Sequence, residues 1–202
     1  MTIATRTTRL RRAALAAAAA SAIIVGLSAC VTVNPGGGTG MPMGDLPEGV
    51  NTADVAFVQM MIPHHERAVE MSDLLLEKEG IDPEVVELAT AIKQAQGPEI
   101  ELMKSWLDDW GVPSMMSGGG MDGMNMGSGG GMDDADMDAL ADAEGADASR
   151  LFLESMSEHH AGAVDMAENV LDDGESKQVA DLARDIIETQ QAEIEIMREL
   201  LG

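Results

Sequence analysis

Apolar residues recur at steps of three and four over residues 52–78, where Met61, His64, Ala68, Met71 and Leu75 form one stripe of a helix with Thr52 as its N-cap. Pro63 falls inside this stripe and, lacking a backbone donor, should kink the helix or mark a junction. Gly80, Asp82 and Pro83 then supply a C-cap, an N-cap and a first-turn residue. A second helix over 83–110 carries Val86, Leu88, Ile92, Gln96, Glu99, Met103 and Trp106, with an irregularity expected at Gly97-Pro98 and a stop at Gly111-Val112-Pro113. After a glycine-rich interval, a short helix is expected over 136–143. A longer one follows from an N-cap at Asp147 to about residue 171. Asp172-Asp173-Gly174 makes the next turn, and Val179, Leu182, Ile186, Gln190, Glu193, Ile194 and Met197 mark a last helix.

The helices repeat. At an offset of 95, Phe57, Met61, His64, His65, Ala68, Val69 and Met71 match Phe152, Met156, His159, His160, Ala163, Val164 and Met166. At an offset of 94, Leu88, Ala89, Ile92, Gln96, Glu99, Ile100, Glu101 and Met103 match Leu182, Ala183, Ile186, Gln190, Glu193, Ile194, Glu195 and Met197. The chain is therefore a duplicated helical hairpin, 52–112 and 134–202, and two hairpins with apolar stripes predict an all-α four-helix bundle. Composition agrees: Tyr is absent and Trp and Phe number two each, so the core must be aliphatic residues and methionine.

Outside the hairpins the chain changes character. Arg6, Arg9, Arg11 and Arg12 precede an apolar run over 13–27 that ends in Leu27-Ser28-Ala29-Cys30. This reads as an export signal over 1–29, and the tetrapeptide resembles a bacterial lipobox with the sole cysteine, Cys30, as the lipidated residue. Residues 30–51, with Met41 and Met43, read as a flexible tether holding the domain off the membrane. Residues 113–133 form a low-complexity connection in which Met115, Met116, Met121, Met124, Met126 and Met132 are spread among glycines, readable either as a plain soluble linker or as flexible collectors of a soft metal. Loss of the signal removes four of the 12 basic residues and none of the 36 acidic ones, taking the net charge from −24 to −28. That charge makes nucleic acid and anionic lipid surfaces poor partners and cations natural ones.

All four histidines lie in the duplicated phrases. At about 100° per residue, Met61 falls between His64 and His65 around its helix, and Met156 between His159 and His160. Residue counts from the turns bring Gln96 and Glu99, and likewise Gln190 and Glu193, near the histidines, so that these groups and Met61 and Met156 should form one band across the bundle. Met103 and Met197 are additional candidates, whereas Met71 and Met166, about 10 Å further along, belong to the core. A hydrogen-bonded layer of His donors against Glu and Gln acceptors is one reading of this band. Metal binding is the other: imidazole with thioether and no thiolate selects Cu(I) or Ag(I) over harder cations.

The paired phrases resemble those of the DUF305 family. Met61-Ile62-Pro63-His64-His65 fits its first copy, and Gly162-Ala163-Val164-Asp165-Met166-Ala167 its second, while Ser157-Glu158 departs from the usual apolar pair. The resemblance implies a duplicated, ferritin-like four-helix bundle and, from some members, an association with periplasmic copper handling. The expectation is a lipid-anchored, extracytoplasmic copper-binding protein for tolerance or delivery, with a copper-handling protein as a further partner, and not an enzyme. A ferritin-like oxidase is the alternative, but Met61 and Met156 stand where a di-iron Glu-x-x-His motif needs glutamate. An interaction bundle without metal is the third reading.

Overall fold

The computed structural model describes residues 46–114 and 134–202. The export segment, Cys30, Met41, Met43 and Met115, Met116, Met121, Met124, Met126 and Met132 lie outside the described residues. Helix α1 spans Thr52–Leu76, α2 Pro83–Trp110, α3 Asp134–Asp142, α4 Gly145–Asp173 and α5 Lys177–Leu201. Four long helices form the bundle, and α3 is a short addition in the connection.

The N-cap of α1 is Asn51, one residue before the expected Thr52. Its Oδ1 accepts from the backbone N–H of Ala53 (2.8 Å) and Asp54 (3.1 Å), and the Asp54 carboxylate accepts from the N–H of Asn51 at 2.8 Å. This reciprocal pair satisfies three otherwise free donors. Neither proline breaks its helix: α1 continues through Pro63 and α2 through Gly97-Pro98. Each proline removes one intrahelical bond, to the carbonyl four residues earlier, while packing on both sides holds the flanking turns. Asp82 caps α2, accepting from Glu84 N–H at 2.8 Å, and Gly111 ends it with φ +66°, a left-handed conformation that costs glycine nothing. Helix α4 begins two residues before the expected Asp147 cap, with Glu144 at the N-cap position making no side-chain bond and Asp147 inside the first turn.

Within each hairpin the helices pair, α1 with α2 and α4 with α5, and the hairpins join along α1 and α4; α3 rests on both of these. The apolar core falls into two clusters. One holds Val55, Phe57, Val58, Met61 and Ile62 of α1 with Met103 and Trp106 of α2, Ala163 and Ala167 of α4, and Val179 and Ile186 of α5. The other holds Ala68, Met71 and Leu75 with Val85 and Ile92, Phe152 and Met156, and Ile194 and Met197. Val85 takes the core position expected of Val86. The early part of α1 thus packs with the late part of α4, so these two helices run antiparallel and the hairpins are related by an approximate twofold. The gap between the clusters falls at the same place in all four helices, where the sequence puts His64-His65, Gln96-Glu99, His159-His160 and Gln190-Glu193.

Polar contacts fix each hairpin against the other. The Asp54 carboxylate, fully buried, accepts from the N–H groups of Glu175 (3.1 Å) and Ser176 (3.1 and 3.2 Å), and Asn51 Nδ2 donates to the Asp173 carbonyl at 2.8 Å. The chain has no room for a side chain beside this carboxylate, since a Cβ on Gly174 would lie 2.6 Å from Asp54 Oδ1. At offset 95 from Asp54 stands Ser149, whose Oγ accepts from the N–H of Asp82 at 3.2 Å. The start of α1 is thereby tied to the α4–α5 turn and the start of α4 to the α1–α2 turn, which sets the height at which the four polar segments meet. Among the described residues, no helix is long and apolar enough to cross a membrane.

Candidate metal centre

Adjacent residues on a helix diverge by about 100°, and the two members of each histidine pair accordingly do different things. His64 and His159 face each other where α1 meets α4, with ring centroids 3.6 Å apart and planes inclined at 36°. His65 and His160 turn toward their own hairpin partners. His65 Nε2 lies 2.8 Å from Glu99 Oε2, and His160 Nε2 lies 2.7 Å from Glu193 Oε2. Both of these rings are fully enclosed, whereas the carboxylates keep part of their surface in water.

Burial pushes the pKa of His64 down to about 3, with the neighbouring His65 and His160 adding to the effect. Burial likewise takes His159 down to about 2, helped by the other three imidazoles and by the Arg67 guanidinium. Both rings are therefore neutral at physiological pH, the form whose nitrogen lone pair binds a metal.

Hydrogen bonding explains only part of the layer. Eight buried side-chain atoms of the described residues have no partner, and all eight are here: Nδ1 and Nε2 of His64, Nδ1 of His65, His159 and His160, both amide atoms of Gln96, and Oε1 of Gln190. Each such atom costs about 1–3 kcal/mol, comparable to what burying one large aliphatic side chain contributes. A layer serving only as a hydrogen-bonded spacer would not leave so many unpaired. Imidazoles and thioethers, with no thiolate among the described residues, are donors that fit a soft cation.

The methionines are placed differently from the single band expected. Met61 and Met103 are fully buried in one apolar cluster, and Met156 and Met197 in the other. Because α1 and α4 are antiparallel, a residue one turn before the histidines lies to one side of the layer on α1 and to the opposite side on α4. Met61 and Met156 thus flank the histidines rather than sharing their level. Met71 is fully buried core, as expected, and Met166 packs half-buried at the edge of the first cluster. Among the described residues, no three His, Cys, Asp or Glu side chains are gathered closely enough to enclose an ion by themselves. The band offers sulfur above and below paired nitrogens instead. A cavity of about 340 Å³ opens elsewhere, at the α1–α2 turn, lined by Val85, Leu153 and Leu200. Its guanidinium, Arg150, is already paired with Glu154, so it presents no comparable chemistry.

Comparison with known proteins gives this geometry a family. A DUF305 protein from Streptomyces coelicolor, described as secreted, is 38% identical, with 74% of this chain and 91% of that one aligned at a TM-score of 0.66. A DUF305 fragment from Deinococcus radiodurans is 32% identical over 76% of this chain and 97% of that one, with a TM-score of 0.67. CopM in its Cu(II)-bound form is 36% identical over 73% of this chain and 95% of that one, with a TM-score of 0.62, and CopM structures also exist with Cu(I) and with silver. The DUF305 bundle is therefore a metal-binding fold in CopM. No curated protein sequence matches the chain. The DUF305 profile, a domain of unknown function, matches residues 54–201, spanning both hairpins and the polar layer between them, and the chain belongs to that family.

Proposed function

We propose that this protein is an extracytoplasmic, lipid-anchored carrier or buffer of Cu(I), with Ag(I) as a chemical equivalent, serving copper tolerance or delivery rather than catalysing a reaction. The observation that carries the reading is the concentration of buried, unpartnered nitrogen and oxygen atoms in one layer between two pairs of buried thioethers. His64, His65, His159 and His160 would supply imidazole, and Met61 and Met156 sulfur. Gln96, Gln190, Glu99 and Glu193 line the same level, and Met103 and Met197 complete each apolar side. The copper- and silver-bound forms of CopM support the choice of metal.

The net charge, −28 once the signal is lost, would draw cations to the surface, and the methionines over 115–132 would collect Cu(I) and pass it inward. His64 and His159, held neutral by burial, need lose no proton to bind. Dialysis of the purified chain against a mixture of copper, silver, zinc, iron and manganese under reducing conditions, followed by mass spectrometry of bound metal, tests the proposal. Copper and silver should be retained selectively. Retention of iron with consumption of dioxygen would instead support an oxidase.

A further inference from the structure

Glu99 and Glu193 sit where they could be either ligands or supports of the ligands, and the geometry points to the second role. We propose that these two carboxylates are positioning residues that lock His65 and His160 in the Nε2–H tautomer, so that Nδ1 is the atom each ring presents to a metal.

An ionised carboxylate can only accept a hydrogen bond, so the close approach of Glu99 Oε2 to His65 Nε2 at 2.8 Å requires that nitrogen to carry the proton. In the neutral form of such a ring the lone pair lies on Nδ1, and Nδ1 of His65 is buried with no partner. The second hairpin builds the same arrangement: Glu193 Oε2 is 2.7 Å from His160 Nε2, and Nδ1 of His160 is also buried and unpartnered. Residues 65 and 160 are equivalent at an offset of 95, and 99 and 193 at 94, so the contact recurs in two copies whose intervening sequences differ. The glutamate side chains remain 24% and 12% exposed while both rings are wholly enclosed, an arrangement in which water stabilises the anion from outside and the ring is held from one side. His64 and His159 have no such acceptor. His64 has both nitrogens buried and unpartnered, so nothing fixes its tautomer. The layer thus contains two oriented imidazoles and two that face one another. Carboxylates bonded to the far nitrogen of a ligating histidine orient the ring and raise its basicity, and losing one lowers metal affinity by about 10- to 100-fold.

The functional part of this inference rests on the copper reading above, but the tautomer is a property of the metal-free chain. Full-length protein labelled with ¹⁵N-histidine, examined metal-free near pH 7 by long-range ¹H–¹⁵N correlation, reports which nitrogen of each ring is protonated. His65 and His160 should both appear as Nε2–H. In Glu99→Leu and Glu193→Leu variants the corresponding ring should lose that preference, and Cu(I) affinity, measured by competition with a chromophoric chelator, should fall by about 10- to 100-fold. Glu99→Gln and Glu193→Gln keep an accepting oxygen and should restore both the tautomer and most of the affinity; they also serve if a leucine variant fails to fold. Nδ1–H rings in the wild-type protein would overturn the proposal. So would glutamine variants as weak in copper binding as the leucine ones, since that result would make the carboxylate itself a ligand. If the wild-type chain bound no Cu(I), the function proposed above would fall, while the NMR measurement would still decide the tautomer.

Discussion

Acidification offers a direct probe of the two facing histidines. Their folded pKa values, about 3 for His64 and about 2 for His159, lie below the ordinary 6.5 because burial opposes charging. When the folded value is depressed, the unfolded chain binds the extra proton. The stability contribution is then complete above pH 6.5 and is lost progressively as the pH falls toward the folded values. Between pH 7 and pH 5 the unfolded ring changes from mostly neutral to mostly charged while the folded ring stays neutral. That amounts to about 2 kcal/mol for each histidine and about 4 kcal/mol for the pair. A loss of this size is a large part of the roughly 5–15 kcal/mol that holds a domain together. The assay is urea denaturation of metal-free protein at half-unit steps from pH 7 to pH 5, for the wild type and for a His64→Gln/His159→Gln variant. The many carboxylates are common to both proteins, so the difference in slope isolates the two rings. The wild type should lose about 4 kcal/mol more than the variant. Equal slopes would refute the assignment of these rings as buried and neutral.

Three further outcomes follow from named contacts. Asp54→Ala removes acceptors for the N–H groups of Asn51, Glu175 and Ser176 and should destabilise the protein by about 3 kcal/mol in denaturant titration. Gly174→Ala would bring a methyl group to 2.6 Å from Asp54 Oδ1 and 2.7 Å from the Val170 carbonyl, and should cost about 1–3 kcal/mol. Combined with Asp54→Ala it should cost less than the sum, because one of its two clashes is gone. Met61→Leu and Met156→Leu conserve volume and should change stability by less than about 1.5 kcal/mol while weakening Cu(I) binding; the same exchange at Met103 and Met197 tests whether those residues only pack.

Much of the architecture was legible because duplication writes each hairpin twice. Matching offsets in the two halves identify the helices, their pairing and the common level of Gln96, Glu99, Gln190 and Glu193. Direction was harder to read. Equal heights of Met61 and Met156 would follow if α1 and α4 ran parallel, and only the antiparallel seam places them on opposite sides of the histidines. Which member of each histidine pair faces the seam was equally out of reach, since a 100° divergence says that the two rings separate but not where either neighbour lies. A local rule about one missing donor does not weigh the packing that holds the adjoining turns, which is why α1 and α2 continue through Pro63 and Pro98. The sequence pattern points to Thr52 as the N-cap where the structure has Asn51, and the use of Asp54 to bind the α4–α5 turn depends on residues more than a hundred positions away.

The most direct test of the central claim is copper K-edge X-ray absorption on the full-length chain loaded with one equivalent of Cu(I). A layer of imidazoles flanked by thioethers predicts nitrogen and sulfur scatterers together, with the multiple-scattering pattern of coordinated imidazole. That pattern should vanish when His64, His65, His159 and His160 are replaced by alanine. A sulfur-only shell in the wild type would mean that copper is held by methionines alone. Together with a spectrum left unchanged by the histidine replacements, it would contradict the account.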